Sequence, residues 1–276
     1  MIPDVAESVI RQILEARATR YGDLARVLDI GCSYGINAAV HRFPVNFASL
    51  QQRYARREMM EIDDDRMVEL DRNFYAGWPD IGLARFIGLD ISEPAIRYAN
   101  AVGLHDGGIA ADLENGELSA GDKAVIAPAN VLLSTGAVGY VTYRTYARLL
   151  DAMATPPWII SFVLRMFPYD DFVAGFEERG LVTEKLAGTT FVQRRFRDEA
   201  EFERSLTALT ARDIDTQGRE ADGLFHAELF LTRPAEDAAA LPLDAIVSVI
   251  SGRFRAFGAR YVQVGEQEDR RIAIEA

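Results

Sequence analysis

The stretch Val27–Gly35 constrains the fold of this chain more than any other segment. It reads V-L-D-I-G-C-S-Y-G: residues of strand character that include an acidic residue lead into a glycine turn, and helix-forming residues follow from Ile36. A strand, a glycine turn and a helix in this order place free backbone N–H groups and the positive end of a helix dipole at the edge of a sheet. Gly31 and Gly35 remove the Cβ atoms that would keep a ligand away from that backbone. The segment therefore predicts a nucleotide-type pocket.

Strand and helix patterns alternate along the rest of the chain. Strands are predicted over residues 26–30, 85–90, 107–113, 130–134, 158–164, 190–196 and 224–232. Helices are predicted over residues 4–20, 36–56, 92–102, 143–153, 170–179 and 198–209. This alternation implies an α/β fold with a Rossmann-like, seven-stranded, mostly parallel sheet and helices on both faces.

The same patterns divide the chain into three parts. Residues 1–23 form an N-terminal helical cap, residues 24–234 the nucleotide-binding domain, and residues 235–276 a C-terminal extension with a helix over 243–257 and a strand over 260–264. A polar helical insertion of about residues 42–84 follows the first βα unit. The cap and the insertion can both overhang the strand ends, so we expect them to act as lid and substrate-selecting elements.

Composition limits the partners of the chain. Its 276 residues are 49% hydrophobic and carry a formal net charge of −12, which disfavours DNA or RNA as a ligand. Cys32 is the one cysteine, so neither a disulfide nor a cysteine-based zinc site can form within the chain. A signal-peptide pattern and an apolar run of about 20 residues are both absent from the sequence. We expect a cytoplasmic protein with a small-molecule substrate and no nucleic-acid, membrane or metal partner.

The glycine turn has two other readings besides a nucleotide pocket. Gly31–Gly35 matches G-x-S-x-G, the nucleophile elbow of serine hydrolases, but only one helix precedes it and only His226 lies far enough along the chain to suit the usual order. The turn does not match the dinucleotide pattern G-x-G-x-x-G. A tight turn that holds no ligand is the plain alternative.

Two carboxylates at later strand ends separate these readings. Asp90 ends the second predicted strand, and Asp112 with Leu113 ends the third. Ligands of open α/β sheets sit outside the carboxyl ends of the strands, at the topological switch point. A carboxylate there can accept both hydroxyls of a ribose, and a polar residue at the next strand end can reach an adenine amino group. Either aspartate alone is typical of a cap or turn, but the ordered set with the glycine turn is rarer by chance.

These motifs resemble the class I S-adenosylmethionine-dependent methyltransferases. The resemblance rests on V-L-D-I-G-C-S-Y-G, on F-I-G-L-D-I-S with a helix ending A-N-A, and on A-D-L-E-N. It covers about residues 24–165 and continues more loosely to about residue 233. The resemblance implies S-adenosylmethionine as the cofactor, bound by residues of the glycine turn and of three later strand ends: Asp29, Gly31, Ser33, Gly35, Asp90, Ile91, Asp112, Leu113, Ser134 and Thr135.

By this resemblance the glycine turn holds the methionine part of the cofactor, and Asp29 supports the turn. Asp90 binds the ribose, while Asp112 and Leu113 contact the adenine. The insertion lengthens the usual spacing of about 20 residues between the turn and the ribose carboxylate, so the assignment of Asp90 assumes an undisturbed second strand. Ser33 stands where the family often has glycine or threonine.

The fourth strand end faces the reaction centre in this family. It is not N-P-P-Y, so the resemblance does not point to amino-methylation of DNA bases or of protein glutamine. Tyr140 and Tyr169 are predicted to line the pocket and contact the sulfonium, since an aromatic face stabilises a cation by about 0.5–2 kcal/mol. Tyr143 is a third candidate, although it can simply pack its helix on the sheet.

Arg165 and a basic cluster in the sixth predicted strand each allow more than one interpretation. Arg165 ends the most apolar strand, and a buried charge must be paired, so it binds either a substrate carboxylate or an acidic side chain of the protein. The basic residues Arg194, Arg195 and Arg197 are better explained by solvation of a strand end than by a ligand.

The sequence therefore predicts a methyltransferase that acts on a small molecule of secondary metabolism. The absence of a general base in the motif regions supports a second hypothesis, in which S-adenosylmethionine cyclises to azetidine-2-carboxylate and releases methylthioadenosine. A third hypothesis is a non-catalytic cofactor-binding subunit. Whether the chain forms a homodimer stays open.

Overall fold

A twisted sheet with seven strand positions forms the frame of the protein. The computed structural model describes residues 1–249, 260–264 and 271–275. Its strands are β1 Ala25–Ile30, β2 Ala84–Asp90, β3 Gly107–Ala110, β4 Val131–Thr135, β5 Trp158–Leu164, β6 Leu181–Lys185, β7 Phe191–Arg195 and β8 Leu224–Pro234. The order across the sheet is β3-β2-β1-β4-β5-β8-β6. β6 and β7 pair with different parts of β8 and so share the outermost position.

The five strands from β3 to β5 are parallel, whereas β8 runs antiparallel to its neighbours. Val27 of β1 pairs with Phe86 on one side and with Val131 on the other, so β1 is central. The chain moves outward from β1 to β3 and then returns to the other side of β1 at β4. A doubly wound sheet opens a crevice at this switch point, at the carboxyl ends of β1 and β4.

Helices cover both faces of this sheet. They are α1 Ile2–Val5, α2 Glu7–Tyr21, α3 Ile36–Arg42, α4 Phe47–Tyr54, α5 Arg57–Met60, α6 Asp64–Ala76, α7 Glu93–Ala101, α8 Ala120–Ile126, α9 Tyr143–Ala152, α10 Asp170–Glu177, α11 Glu199–Thr210, α12 Ala235–Ala240 and α13 Leu243–Ile246. A short 3₁₀ helix spans Glu220–Asp222. Within the described ranges, no helix combines the length and apolarity that a membrane crossing requires.

The core lies in two layers, one on each face of the sheet. Side chains alternate across a strand, so Val27 joins the layer under α2 and α3, while Leu28 joins the layer under α8, α9 and α10. Every residue of β5 is buried, as expected for a continuous apolar strand in the middle of a sheet.

The predicted fold class is confirmed, with corrections to its elements. The strand predicted over residues 107–113 ends at Ala110, so Asp112 and Leu113 lie just beyond it, and the helix predicted over 4–20 is interrupted at Ala6. The helix predicted over residues 36–56 is two helices, because Pro44 disfavours helical backbone at Phe43 and the chain breaks there. β6 was not predicted, since its residues are half polar and show little alternation. A helix covers 120–126 that the sequence pattern did not indicate.

The C-terminal part is only partly described. The helix predicted over residues 243–257 is observed as Leu243–Ile246, and residues 250–257 lie outside the described residues. The strand predicted over 260–264 is confirmed as β9, Arg260–Val264, which pairs antiparallel with β10, Arg271–Glu275. The division of the chain into cap, domain and extension stays a prediction.

The insertion is fixed to the domain by a buried carboxylate. Asp71 of α6 is fully buried and accepts hydrogen bonds from Arg53 of α4 at 2.7 Å, from Tyr54 at 3.1 Å and from the Tyr98 hydroxyl of α7 at 2.7 Å. A buried charge must be paired, and this one is paired by groups from both the insertion and the domain. The carboxylate therefore holds α4 and α6 against α7.

Replacing Asp71 with alanine is expected to lower the free energy of unfolding by about 2–4 kcal/mol, because it leaves Arg53 and two tyrosine hydroxyls without their common partner. Urea denaturation measures the change. Glu69→Ala is the matched control on the same helix, since Glu69 forms an exposed ion pair with Arg66 and should change stability by less than about 0.5 kcal/mol. Equal effects of the two substitutions would contradict this account.

Candidate functional site

A cavity of about 490 Å³ opens at the carboxyl ends of β1 to β4, at the topological switch point. Its size falls in the usual range for small-molecule sites, about 300–1,000 Å³. The lining residues come from four strand ends and the segments after them: Ile30, Gly31, Leu89, Asp90, Ile91, Ala111, Asp112, Leu113, Glu114, Asn115, Thr135, Gly136, Ala137, Tyr140, Val141 and Thr145. The structure thus brings most of the predicted site residues to one cavity.

The glycine turn is held against β2 by backbone hydrogen bonds. The N–H groups of Gly31 and Cys32 both donate to the carbonyl oxygen of Leu89, at 2.8 and 3.1 Å. Gly31 and Gly35 have positive φ, at 70° and 83°, which glycine adopts without strain. Ser33 also has positive φ, at 49°, a left-handed conformation that costs a residue with a side chain about 1–2 kcal/mol. The chain can therefore turn sharply at the end of β1 and enter α3 directly.

The two glycines of the turn have different neighbours. A Cβ on Gly31 would lie 3.2 Å from Ala137, across the cavity floor. Gly35 is buried, and a Cβ there would lie 3.2–3.3 Å from His105, Leu104 and Ala99. Gly31 keeps the floor of the cavity open, whereas Gly35 lets α3 pack closely on α7 rather than facing a ligand.

Asp90 connects the two turns that border the cavity. Its Oδ2 accepts a hydrogen bond from the Ser33 N–H at 2.8 Å, and its Oδ1 accepts one from the Ser92 N–H at 2.9 Å. Each carboxylate oxygen has two lone pairs, so both can accept a further hydrogen bond from a ligand. The carboxylate is thereby fixed in position and still able to bind two hydroxyl groups.

A buried polar chain runs beneath the glycine turn. Asn37 of α3 donates through Nδ2 to the Asp29 carboxylate at 2.8 Å and to the Thr135 hydroxyl at 3.0 Å. Burial raises the pKa of Asp29 to about 7, and the nearby Asp90 adds to this, while the hydrogen bond from Asn37 opposes it. Sequence reasoning missed Asn37; its signal was a polar residue in the first turn of the helix that follows the glycines.

Local hydrogen bonds fix the orientation of the Asp112 side chain at the mouth of the cavity. Its Oδ1 accepts from the Glu114 N–H at 3.0 Å and its Oδ2 from the Asn115 side chain at 2.8 Å. The hydrogen bond from Asn115 lowers the pKa of Asp112 below its usual range. Leu113 is buried beside it, with 3% of its surface exposed. The pair presents a carboxylate and an apolar side chain to the same cavity.

The two predicted tyrosines lie in different places. Tyr140 lines the cavity with 86% of its surface exposed, so its ring is free to meet a ligand. Tyr169 is 4% exposed, donates its hydroxyl to Ser161 at 2.9 Å and stacks on Phe172. The structure does not bring Tyr169 to this cavity. Its position is explained by packing between β5 and α10.

The fourth strand end contributes one buried and one cavity-lining residue. Ser134 is buried, and its hydroxyl accepts from the Ala137 N–H at 3.3 Å, which supports the loop after β4. Thr135 lines the cavity and receives the hydrogen bond from Asn37. Only Thr135 is therefore placed for direct ligand contact.

Three further candidates have structural partners. Arg165 donates to Glu220 at 2.6 Å, and Tyr143 donates to the Gly175 carbonyl oxygen at 2.5 Å. Arg194 forms two hydrogen bonds of 2.8 Å with Glu201. These contacts favour a protein carboxylate for Arg165, helix packing for Tyr143 and structural pairing for Arg194.

The hydrolase interpretation gains no support. His226 hydrogen bonds Thr190 at 2.9 Å, and burial raises the pKa of the Cys32 thiol. No cluster of three or more metal-ligating side chains occurs among the residues that the structure describes. Ser33 contacts Asp90 through its backbone and lacks the histidine that would activate it as a nucleophile in the described part of the chain.

Comparisons with known proteins give distant matches among solved structures. No protein-family model and no curated protein matches the chain. Among solved structures, the plantazolicin methyltransferase BpumL in complex with SAH matches with 15% identity over 85% of this chain and 86% of its own, at a TM-score of 0.40.

Two other solved structures match at a similar level. An O-methyltransferase from a trans-AT PKS multienzyme of Brevibacillus brevis, in complex with S-adenosyl-L-homocysteine, has 9% identity over 82% of this chain and 72% of its own, with a TM-score of 0.40. A TehB-like SAM-dependent methyltransferase from Corynebacterium glutamicum has 16% identity over 79% and 86%, with a TM-score of 0.35. Likenesses this distant assign neither an activity nor a substrate to this chain.

Stability should depend on pH through Asp29. The pKa of Asp29 in the folded protein, about 7, lies above the ordinary value of 3.8. The contribution of the protonated carboxyl to the free energy of unfolding is therefore fully present below pH 3.8 and is lost as the pH rises through 7. Between pH 5 and pH 8 the free energy of unfolding of the wild type, relative to Asp29→Asn, should fall by about 2–3 kcal/mol. Urea denaturation at both pH values measures this difference.

Asp112→Asn is the control for this measurement. The pKa of Asp112 is lowered, so Asp112 is ionised throughout that pH range and its substitution should leave the pH dependence unchanged. A wild type and an Asp29→Asn variant with parallel pH profiles would show that Asp29 is already ionised in the folded protein.

Proposed function

We propose that this chain is an S-adenosylmethionine-dependent methyltransferase that acts on a small molecule. The observation that carries the proposal is the meeting of the glycine turn, Asp90 and Asp112 at one cavity at the switch point of the sheet. These features come from three separate strand ends, and together they match the parts of an adenosine-and-methionine ligand. A hydrolase elbow or an empty turn requires no such set.

The cavity offers a complementary group for each part of the cofactor. Asp90, fixed by two backbone N–H groups, is suited to accept the two ribose hydroxyls. Leu113 supplies an apolar contact for the adenine ring, and Asp112 an acceptor for its amino group. The turn at Gly31 leaves room for the methionine part beside Thr135.

The charge of the Asp29 carboxyl supports placing the methionine part of the cofactor on the glycine turn. The Asp29 carboxyl lies beneath the turn, and its Oδ2 is buried without a hydrogen-bond partner among the described residues. A cationic group bound on the turn favours the ionised form of this carboxyl, because opposite charges lower the pKa of an acid. S-adenosylmethionine carries such cations in its ammonium and sulfonium groups.

The residues of the chain would mainly align the reactants. When bound, S-adenosylmethionine would supply a methyl group activated by its sulfonium: the bond to the acceptor forms as the C–S bond breaks, and the electron pair leaves with sulfur in S-adenosylhomocysteine. Alignment and exclusion of water are then the principal contributions of the protein. Tyr140 would contribute cation–π attraction to the sulfonium from its exposed ring.

The lining residues offer little as a general base. Glu114 accepts hydrogen bonds from the Thr142 and Thr145 hydroxyls, and Asp90 and Asp112 are fixed as described above. An acceptor that arrives protonated would release its proton to solvent through the open mouth of the cavity. This favours acceptors whose nucleophilic atom is acidic or unprotonated near neutral pH.

The open mouth also bears on the cyclisation hypothesis. An enclosed aromatic pocket without room for a second substrate would favour cyclisation, whereas Tyr140 at the mouth is almost fully exposed. The geometry therefore favours transfer to an acceptor. A role in secondary metabolism and a homodimeric state stay predictions.

Calorimetric titration with S-adenosylhomocysteine tests the cofactor assignment. Asp90→Ala should weaken binding at least about tenfold, since a hydrogen bond to a charged group contributes about 1.5–3 kcal/mol. Asp106→Ala is the control, because Asp106 is exposed and pairs only distantly with Arg85 at 3.8 Å. Absence of binding to the wild type, or equal binding by Asp90→Ala, would refute the assignment.

Product analysis separates methyl transfer from cyclisation. Incubation with S-adenosylmethionine alone should produce no methylthioadenosine, because the proposed reaction needs an acceptor. Chromatography of the nucleoside products provides the measurement, with a protein-free incubation to correct for spontaneous breakdown. Enzyme-dependent release of methylthioadenosine would instead establish the cyclase.

A further inference from the structure

Another cavity is formed by the insertion, with walls from α4, α6 and the segments next to them. Its volume of about 420 Å³ falls within the usual range for small-molecule sites, about 300–1,000 Å³. The cavity shares no described lining residue with the one at the strand ends, so the proposed function does not use it. The residues that characterise its walls are Val45, Gln52, Arg53, Arg56, Phe74 and Trp78.

Arg53 presents a fixed guanidinium to this cavity. Its Nε and Nη2 groups donate to the buried Asp71 carboxylate at 3.0 and 2.7 Å, and the guanidinium carbon lies 4.3 Å from the centre of the Phe74 ring. The Nη1 group donates to no acceptor among the described residues. The side chain is 18% exposed and Nη1 is not an enclosed atom, so a ligand in the cavity can reach it.

The cavity carries one uncompensated positive charge. Asp71 neutralises Arg53, whereas Arg56 is exposed and pairs with no acidic side chain in the part of the chain that the structure describes. The described lining contains no aspartate or glutamate, although the formal net charge of the chain is −12. A carboxylate, as a monoanion, matches this local charge, while a phosphate monoester at about −2 exceeds it.

Trp78 adds an accessible aromatic surface beside the two arginines. It lines the cavity with 41% of its surface exposed, and its ring packs edge-on against Phe74 at 6.2 Å between the ring centres. One face of Phe74 is taken by the Arg53 guanidinium, so the accessible surface belongs mainly to Trp78. Aromatic rings pack well on such a surface, in offset or edge-to-face arrangements.

We propose that this cavity binds an aromatic monocarboxylate. The carboxylate accepts hydrogen bonds from Nη1 of Arg53 and from the Arg56 guanidinium, and the aromatic ring packs on Trp78. Because Arg53 already ties α4 to α6 through Asp71, a ligand on the same guanidinium would also strengthen the packing of these two helices. The site is a binding site of the insertion and is separate from the methyl-transfer site.

Binding of 2-naphthoate to the full chain tests the proposal. The matched probe is 2-naphthamide, which keeps the two rings and the carbonyl but carries no charge. Calorimetry should show that the wild type binds 2-naphthoate at least about tenfold more tightly, because charge-assisted hydrogen bonds are about twice as strong as neutral ones. Equal binding of the two probes, or binding of neither, overturns the proposal.

Three variants assign the contacts. Arg56→Gln should lose most of the preference for 2-naphthoate, and Trp78→Ala should weaken the binding of both probes. Arg57→Gln is the matched control, since Arg57 does not line the cavity and forms an exposed ion pair with Glu61, so this variant should keep the preference. A preference that persists in Arg56→Gln, or unchanged binding by Trp78→Ala, would contradict the assignment.

The two tryptophans of the chain report where the probe binds. Trp158 is buried and donates its Nε1–H to Asp237 at 2.8 Å, away from the insertion cavity. In a ¹⁵N-correlated NMR spectrum, 2-naphthoate should shift the indole signal of Trp78, which is identified by its loss in Trp78→Ala, and leave that of Trp158 in place. A shift of the Trp158 signal alone would overturn the proposal. Neither measurement requires S-adenosylhomocysteine, so the inference can fail or hold independently of the proposed function.

Discussion

The arrangement of the site depends on the hydrogen bonds that Asp90 accepts from two backbone N–H groups. One comes from Ser33 in the turn after β1 and the other from Ser92 in the turn after β2. Adjacent parallel strands bring these turns together, but pairing alone does not fix their relative positions beyond the last ladder bond. The carboxylate spans that gap, so the cavity has a defined edge before any ligand arrives.

The packing beneath the glycine turn also fixes the position of that turn. The His105 ring fits between Gly35 and Gly88, where a Cβ would lie 3.2 Å from its Nε2 and 2.5 Å from its ring, respectively. Burial lowers the pKa of His105 to about 4, so the ring is neutral near pH 7 and can be buried without a counter-charge. The glycine turn is thus supported from below by an uncharged ring and from the side by Asp90.

Much of this arrangement could be predicted from the sequence because it depends on local chemistry. The glycine turn, Asp90 and Asp112 each lie at or just after the end of a strand, and parallel strands end at the same edge of a sheet. The break at Phe43 is also local, because the proline after it disfavours helical backbone there, and the sequence analysis missed it. β6 could not be predicted because it is a short edge strand whose side chains give little pattern.

The positions of individual side chains show the same limit. Tyr169 has the composition of a pocket residue, but its hydroxyl finds Ser161 within the core. Asn37 is a polar residue that sequence periodicity does not single out. Its role follows from the hydrogen bond to the buried Asp29 carboxylate, which only the folded chain reveals.

A crystal structure of the protein with S-adenosylhomocysteine would test the central claim most directly. We predict that both ribose hydroxyls lie within hydrogen-bond distance of the Asp90 carboxylate, while its bonds to the Ser33 and Ser92 N–H groups persist. A ligand bound elsewhere, or an Asp90 side chain turned away from the ribose, would contradict the account.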